Sequence, residues 1–162
     1  MTTKLKRRVA ILVAVATIAV TAAGCLADST PGVKPSDPLQ AEVLDGMNFQ
    51  RALAGVPGLT NSPKLTFLAT LWAAVMAQYV GFTHQNLADH LYNDPDYANY
   101  NTLGENILVG PGSMTAAQML GSWMGSPAHR NNILSRNFNI AGVGYYRAAD
   151  GRLWVCVDFG GI

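Results

Sequence analysis

The 162-residue chain holds 11 Lys plus Arg against 10 Asp plus Glu, and its charged fraction of 13% is about half that of an ordinary soluble domain. That length suits one domain with an appendage. Four of the eleven cations, Lys4, Lys6, Arg7 and Arg8, stand in the first eight residues, so the chain without residues 1–24 carries seven cations against ten acids, a net charge near −3. No Lys/Arg run survives in that part, which argues against nucleic acid as a partner.

The basic start is followed by an almost wholly apolar run from Val9 to Val20, then Thr21-Ala22-Ala23-Gly24 and Cys25. This order describes a secretory signal, too short to favour a membrane span. An uncleaved anchor remains the rival, since basic flanks suit one too. Ala22-Ala23-Gly24-Cys25 resembles a lipobox without its usual Leu, which would make Cys25 an acylated N-terminus at a membrane surface. Ordinary cleavage near Ala27 would instead release a free protein. Either route makes the protein exported, as a cell-surface lipoprotein or in secreted form. The only other cysteine, Cys156, then has no partner within the chain, and it reads as a small buried apolar residue rather than a nucleophile.

Residues 25–36 form a Pro-containing tether, and the folded domain is expected over 37–162. Asp37-Pro38-Leu39-Gln40 reads as a capped helix start, with the helix running to Ala54 and stopping at Gly55. Ser62-Pro63 opens a second helix that ends at Gly81. Its Leu65, Leu68, Trp72, Val75, Met76 and Tyr79 recur at three- and four-residue spacing as a core stripe. Residues 85–102 read as a long surface loop, in which His90 is a solvated histidine. A third helix is expected from Ser113 to about Met124, burying Ala117, Leu120 and Met124 or Trp123, with a short turn capped by Ser126 after it. Ile140–Arg147 and Arg152–Phe159, joined by Asp150-Gly151, predict a β-hairpin. Its last strand is apolar on both faces, which predicts a sheet covered on both sides and an α+β fold.

Three residues at element boundaries could carry chemistry: His84, Glu105 and His129. By themselves they could equally form capping or core hydrogen bonds. Asp89, Asp94 and Asp96 lack the glycine and closing glutamate of a calcium loop. Gly142-Val143-Gly144 lacks the helix and lysine of a phosphate loop, and Ser122 and Ser126 lack a nucleophile elbow.

The flanking residues add context. Asn48-Phe49-Gln50-Arg51, Phe82-Thr83-His84, Gly104-Glu105-Asn106-Ile107, Trp123 through Leu134 with Ser126-Pro127-Ala128-His129-Arg130, Gly142-Val143-Gly144 and Trp154 through Gly160 occur in one order over about 120 residues. In that order they resemble the CAP superfamily (cysteine-rich secretory protein, antigen 5, pathogenesis-related 1), in its bacterial SCP-like form. The resemblance implies an α-β-α sandwich with a central antiparallel sheet. It further implies a cleft where His84, Glu105 and His129 converge, and which binds a divalent metal in some members. A second glutamate of the family is missing here, its place being taken by Ser126 or Pro127, and so are the disulfides of animal members.

Two imidazoles, His84 and His129, can hold Zn²⁺ or another divalent metal, with Glu105 as third ligand or as an orienting acceptor. The first turn of a helix would keep the His129 ring neutral. Two functions follow. One is a non-enzymatic binding module that offers the cleft to a lipid, another small apolar ligand or a cell-surface partner. The other is a metal-dependent hydrolase of peptide or cell-wall bonds, with Glu105 as base. The missing second acid favours the first.

Overall fold

The computed structural model describes Pro35 and residues 37–162. The signal segment, Cys25 and most of the tether lie outside the described residues. The order of elements is α1 (Pro38–Leu53), β1 (Thr60–Asn61), α2 (Pro63–Val75), a π-turn (Met76–Val80), α3 (Leu87–Asn93), a 3₁₀ turn (Pro95–Tyr97), β2 (Thr102–Pro111), α4 (Ala116–Gly125), α5 (Pro127–Leu134), β3 (Ile140–Arg147) and β4 (Arg152–Gly161). The strands form one sheet in the order β1-β3-β4-β2. The three long strands pair antiparallel, as expected, but the two-residue β1 joins β3 in parallel, so the sheet is mixed.

Local chemistry sets the helix starts. Asp37 caps α1 by accepting from the Gln40 N–H, Ser62 caps α2 through the Leu65 N–H, and both helices open on proline. Helix α4 starts later than the expected Ser113, because Thr115 and Gln118 form a reciprocal capping box that fixes its first turn. It buries Ala116, Met119, Leu120 and Trp123, whereas Ala117 faces solvent. Ser126 stands at the cap position of α5, although its side chain makes no capping bond.

Segment 85–102 is not a long loop. Asn86 accepts from the Asp89 N–H to start α3, and Asp94 accepts from the Asp96 N–H to start the 3₁₀ turn. The Asn and Asp residues that suggested loop are caps of two short helices. His90 lies on α3, bonded to Asp94 at 3.1 Å and stacked on Tyr97 with ring centroids 4.9 Å apart, so it is not a solvated side chain.

Alternation along β4 covers the sheet on both faces. Leu153, Val155, Val157 and Phe159 meet α1, α4 and α5 in the larger core, while Trp154 and Cys156 meet α2 with Ala69, Ala73 and Met76. The fold is α+β with helices on both sides of the sheet, as the sequence predicted.

Two details explain how tightly the layers hold. Arg51 is 1% exposed, and its guanidinium donates to the carbonyls of Pro57, Ile133, Ser135 and Phe138 at 2.6–2.9 Å. It thereby ties α1 to the segments that follow α1 and α5. On the other face, α2 approaches β3 so closely that a Cβ at Gly144 would lie 2.1 Å from the Thr70 amide nitrogen, and one at Gly142 2.1 Å from that of Thr66. The buried row of α2 is therefore Leu65, Ala69, Ala73 and Met76. Of the expected stripe, Leu68, Trp72 and Val75 are displaced to half-buried flanks and Tyr79 to solvent, because the glycine groove admits only small side chains. Gly144→Ala should destabilise the protein by about 3 kcal/mol or more, since backbone rather than a side-chain tip must yield. Denaturant unfolding measures this, and a loss within ~0.5 kcal/mol would show that α2 can ride outward.

Candidate functional site

Helix α2 widens into the π-turn and stops at Gly81, whose φ of 75° reverses the chain. The segment that leaves it is held by the Trp72 indole, which donates to the Thr83 carbonyl at 3.2 Å. His84 follows at once. Helix α5 presents His129 from the other side of the sheet, and Asn106 of β2 fixes that turn by donating to the His129 carbonyl at 3.0 Å. Asn132 adds donors to the Glu105 carbonyl and to the Asn106 side chain, both at 2.9 Å. Thus the edge strand β2 positions both histidines.

The three residues expected in one cleft do converge. His84 Nδ1 lies 2.6 Å from Glu105 Oε1, and the rings of His84 and His129 are 6.5 Å apart. Glu105 is 4% exposed and accepts from the Gln85 backbone N–H at 3.2 Å, the Gln85 side-chain amide at 2.8 Å and the Cys156 thiol at 3.3 Å. Every neighbour is a donor to it, which assigns the His84 proton to Nδ1 and turns Nε2 outward as an acceptor. His129 stays neutral near pH 7, its ring being held below the usual 6.5 by burial first and by His84 second.

Beneath this trio lies a group that the motifs did not announce. Glu105 and Asp158 are direct cross-strand partners on one face of the sheet, and both are buried. Gln85 spans them, its amide donating to Asp158 Oδ1 at 2.9 Å as well as to Glu105, while Tyr97 donates to Gln85 Oε1 at 3.2 Å. No Lys or Arg forms an ion pair with either acid among the described residues. Burial first, and Glu105 second, push the Asp158 carboxyl up to about 8. Burial likewise pushes the Cys156 thiol well above its usual value, so it donates to Glu105 and Asp158 as S–H and is no nucleophile. Asp158 thus supplies a second acid to a site whose second glutamate is missing. Its sequence signal was the alternation of β4, which put it on a face otherwise occupied by Trp154 and Cys156.

His84 and His129 offer two imidazoles, a donor type that suits a divalent cation such as Zn²⁺. A carboxylate behind one imidazole is the usual way a ligating histidine is oriented. Two imidazoles on one tetrahedral Zn²⁺ place their centroids about 5 Å apart, so a closure of about 1 Å would suffice.

A family model described as the cysteine-rich secretory protein family matches residues 44–157. The chain belongs to this CAP family. Among its curated relatives, the uncharacterized Bacillus subtilis protein YkwD is 43% identical over 56 residues, a match covering 35% of this chain and 20% of YkwD. An SCP-domain extracellular protein from Bacillus anthracis is similar in structure, with a TM-score of 0.64 and 22% identity over 80% of this chain and 45% of that one. An outer surface protein of Borrelia burgdorferi gives 0.62 and 17% over 74% and 89%. At these identities the structural likeness shows the fold alone. The first of these two structures is described as that of an extracellular protein and the second as that of an outer surface protein.

In this member the buried acid pair makes stability depend on pH. Asp158 titrates near 8 when folded against its ordinary 3.8, so the native state holds an extra proton between those values. Stability must then fall as pH rises from about 4 to about 8. Melting curves at pH 5 and pH 8 should show that fall in the wild type and a smaller one in Asp158→Asn. Equal slopes would mean that Asp158 is already ionised in the fold.

Proposed function

We propose that this domain is an exported binding module for a small apolar ligand, taken up between α1 and α4. The supporting observation is a cavity of about 510 Å³ lined by Gly46, Phe49, Ala116, Leu120, Gly121 and Met124, with Glu42 and Gln50 at its polar margin. Its volume lies in the range of small-molecule sites. None of His84, Glu105 and His129 lines it, so the apolar ligand and the histidine cleft occupy different places. That separation revises the expectation of a single cleft serving both. Phe49 is 62% exposed at the mouth of the cavity, an apolar surface that an acyl chain or similar body would cover.

Gly121 offers a direct test, because a Cβ there meets nothing within 4 Å. Gly121→Phe should fill the cavity without disturbing its walls and weaken binding of a fluorescent fatty acid at least about tenfold, with Tm nearly unchanged. Equal binding by the wild type and the variant would overturn the assignment of the cavity.

A second reading rests on the 2.6 Å contact between His84 and Glu105. His84 Nε2 and the His129 ring would hold Zn²⁺, with Glu105 orienting His84 from behind. Bound there, zinc would act as a Lewis acid and lower the pKa of a bound water. The hydrolase version asks Glu105 to take a proton from that water, yet its carboxylate is 4% exposed and already accepts from His84, Gln85 and Cys156. An orienting role suits it better than that of a base, which favours binding over turnover. Titration calorimetry with Zn²⁺ should give one site, lost in His84→Ala/His129→Ala and weakened about 10- to 100-fold in Glu105→Gln. No heat from the wild type would leave the trio as structural polar groups.

A further inference from the structure

Helix α2 has a largely apolar outer face that is exposed among the described residues. The inner face packs on β3 and β4 through Leu65, Ala69, Ala73 and Met76. On the outer side Phe67 is 56% exposed and Leu71 48%, one turn apart on a single row. The π-turn then winds more slowly than an α-helix, which returns Tyr79, 59% exposed, to that same row instead of carrying it round the helix. Val80 and, past the Gly81 reversal, Phe82 add apolar surface after it in the chain, both about half exposed. From Pro63 to Thr83 the sole charged side chain is Lys64, at 3.6 Å from Asp96. A helix in water ordinarily keeps charges on such a face.

We infer that the Phe67–Leu71–Tyr79–Phe82 surface is a membrane-docking face that lies in the headgroup layer of the bilayer to which the chain's own N-terminal anchor holds it. The inference rests on the reading of Cys25 as an acylated anchor. A bilayer is favoured as occupant for three reasons. The composition, three aromatic rings with aliphatic residues between them and no acid, is that of an interfacial face. The chain outside the described residues has the needed reach. Residues 25–36 span up to about 40 Å when extended. The start of α1 sits on the opposite side of the sheet, where Asp37 accepts from the Tyr145 hydroxyl at 2.8 Å. Three layers of about 10 Å each separate that point from the outer face of α2, so a lipid at Cys25 and the α2 row can meet one membrane. Finally, the chain from residue 25 onward is near −3, so attraction to an anionic bilayer is not the cause and added salt should not weaken docking.

The test uses the full chain recovered from the membrane fraction and reconstituted in 3:1 phosphatidylcholine/phosphatidylglycerol vesicles. Cys156 is fully buried, so a cysteine introduced as Leu71→Cys can be labelled with an environment-sensitive dye, with Ser122→Cys on the opposite helix layer as control. Quenching by headgroup-level spin-labelled lipid should be at least about threefold stronger at position 71 than at 122, in low and high salt alike. Flotation with the vesicles but equal quenching at both positions would overturn the docking face and leave the anchor standing. Failure to float would remove the anchor and the docking with it. A dye at position 71 already shielded before vesicles are added, with dimers in light scattering, would assign the face to a second copy and overturn the proposal.

Discussion

The distance between α2 and β3 governs both faces of this protein. Gly142 and Gly144 remove two side chains from β3, and Leu65, Ala69 and Ala73 drop the helix onto the space they leave. A helix seated that deep covers Trp154, Cys156 and Ile107 with a single layer. Its end is then fixed to within the length of a hydrogen bond from β2, which is where His84 must arrive. The row of small residues also has a second consequence. Once alanines fill the groove, the larger residues of α2 have nowhere to go but the flanks and the outer face.

The polar interior follows a different rule from the apolar one. Arg51 and Asn48 belong to the most recognisable motif of the first helix, yet both are spent on backbone. Arg51 serves four carbonyls, and Asn48 brackets Leu59 through its N–H and its carbonyl. Buried carbonyls without partners are costly, and the guanidinium fork satisfies several from one residue. Asn106 and Asn132 do the same around β2 and α5. These residues hold the frame on which Glu105 and Asn106 then fix the two histidines.

At the centre of the site, charge and burial are balanced by neutral groups. Two acids face one another across β2 and β4, with the His84 ring, the Gln85 amide and the Cys156 thiol about them. A carboxylate pair in such surroundings cannot ionise fully, so one member keeps its proton. Burial first, and its neighbour Glu105 second, raise Asp158 to about 8, so Asp158 holds that proton. The outcome is a rigid, nearly neutral base under two imidazoles, a setting that orients His84 firmly and leaves the ring nitrogen toward solvent free to bind. The apolar cavity between α1 and α4 is built independently on the other side of the sheet, so the two sites can be altered separately.

Family resemblance named His84, Glu105 and His129; the sequence alone determined the helix starts at Asp37 and Ser62, the hairpin of β3 and β4, and the two-sided burial of β4. These are local or periodic properties, written in spacing and in residue type. Only the tertiary structure decided what depends on neighbours brought from afar. The Asn- and Asp-rich segment 85–102 became two capped helices, because an Asx side chain signals a turn and a cap with the same chemistry. The stripe on α2 moved by one position once Gly142 and Gly144 chose which side chains could enter. Asp158 became a protonated partner of Glu105, since strand register alone sets two distant acids side by side. The cavity of α1 and α4 appeared for the same reason: a void is a property of two surfaces, and neither helix encodes it by itself.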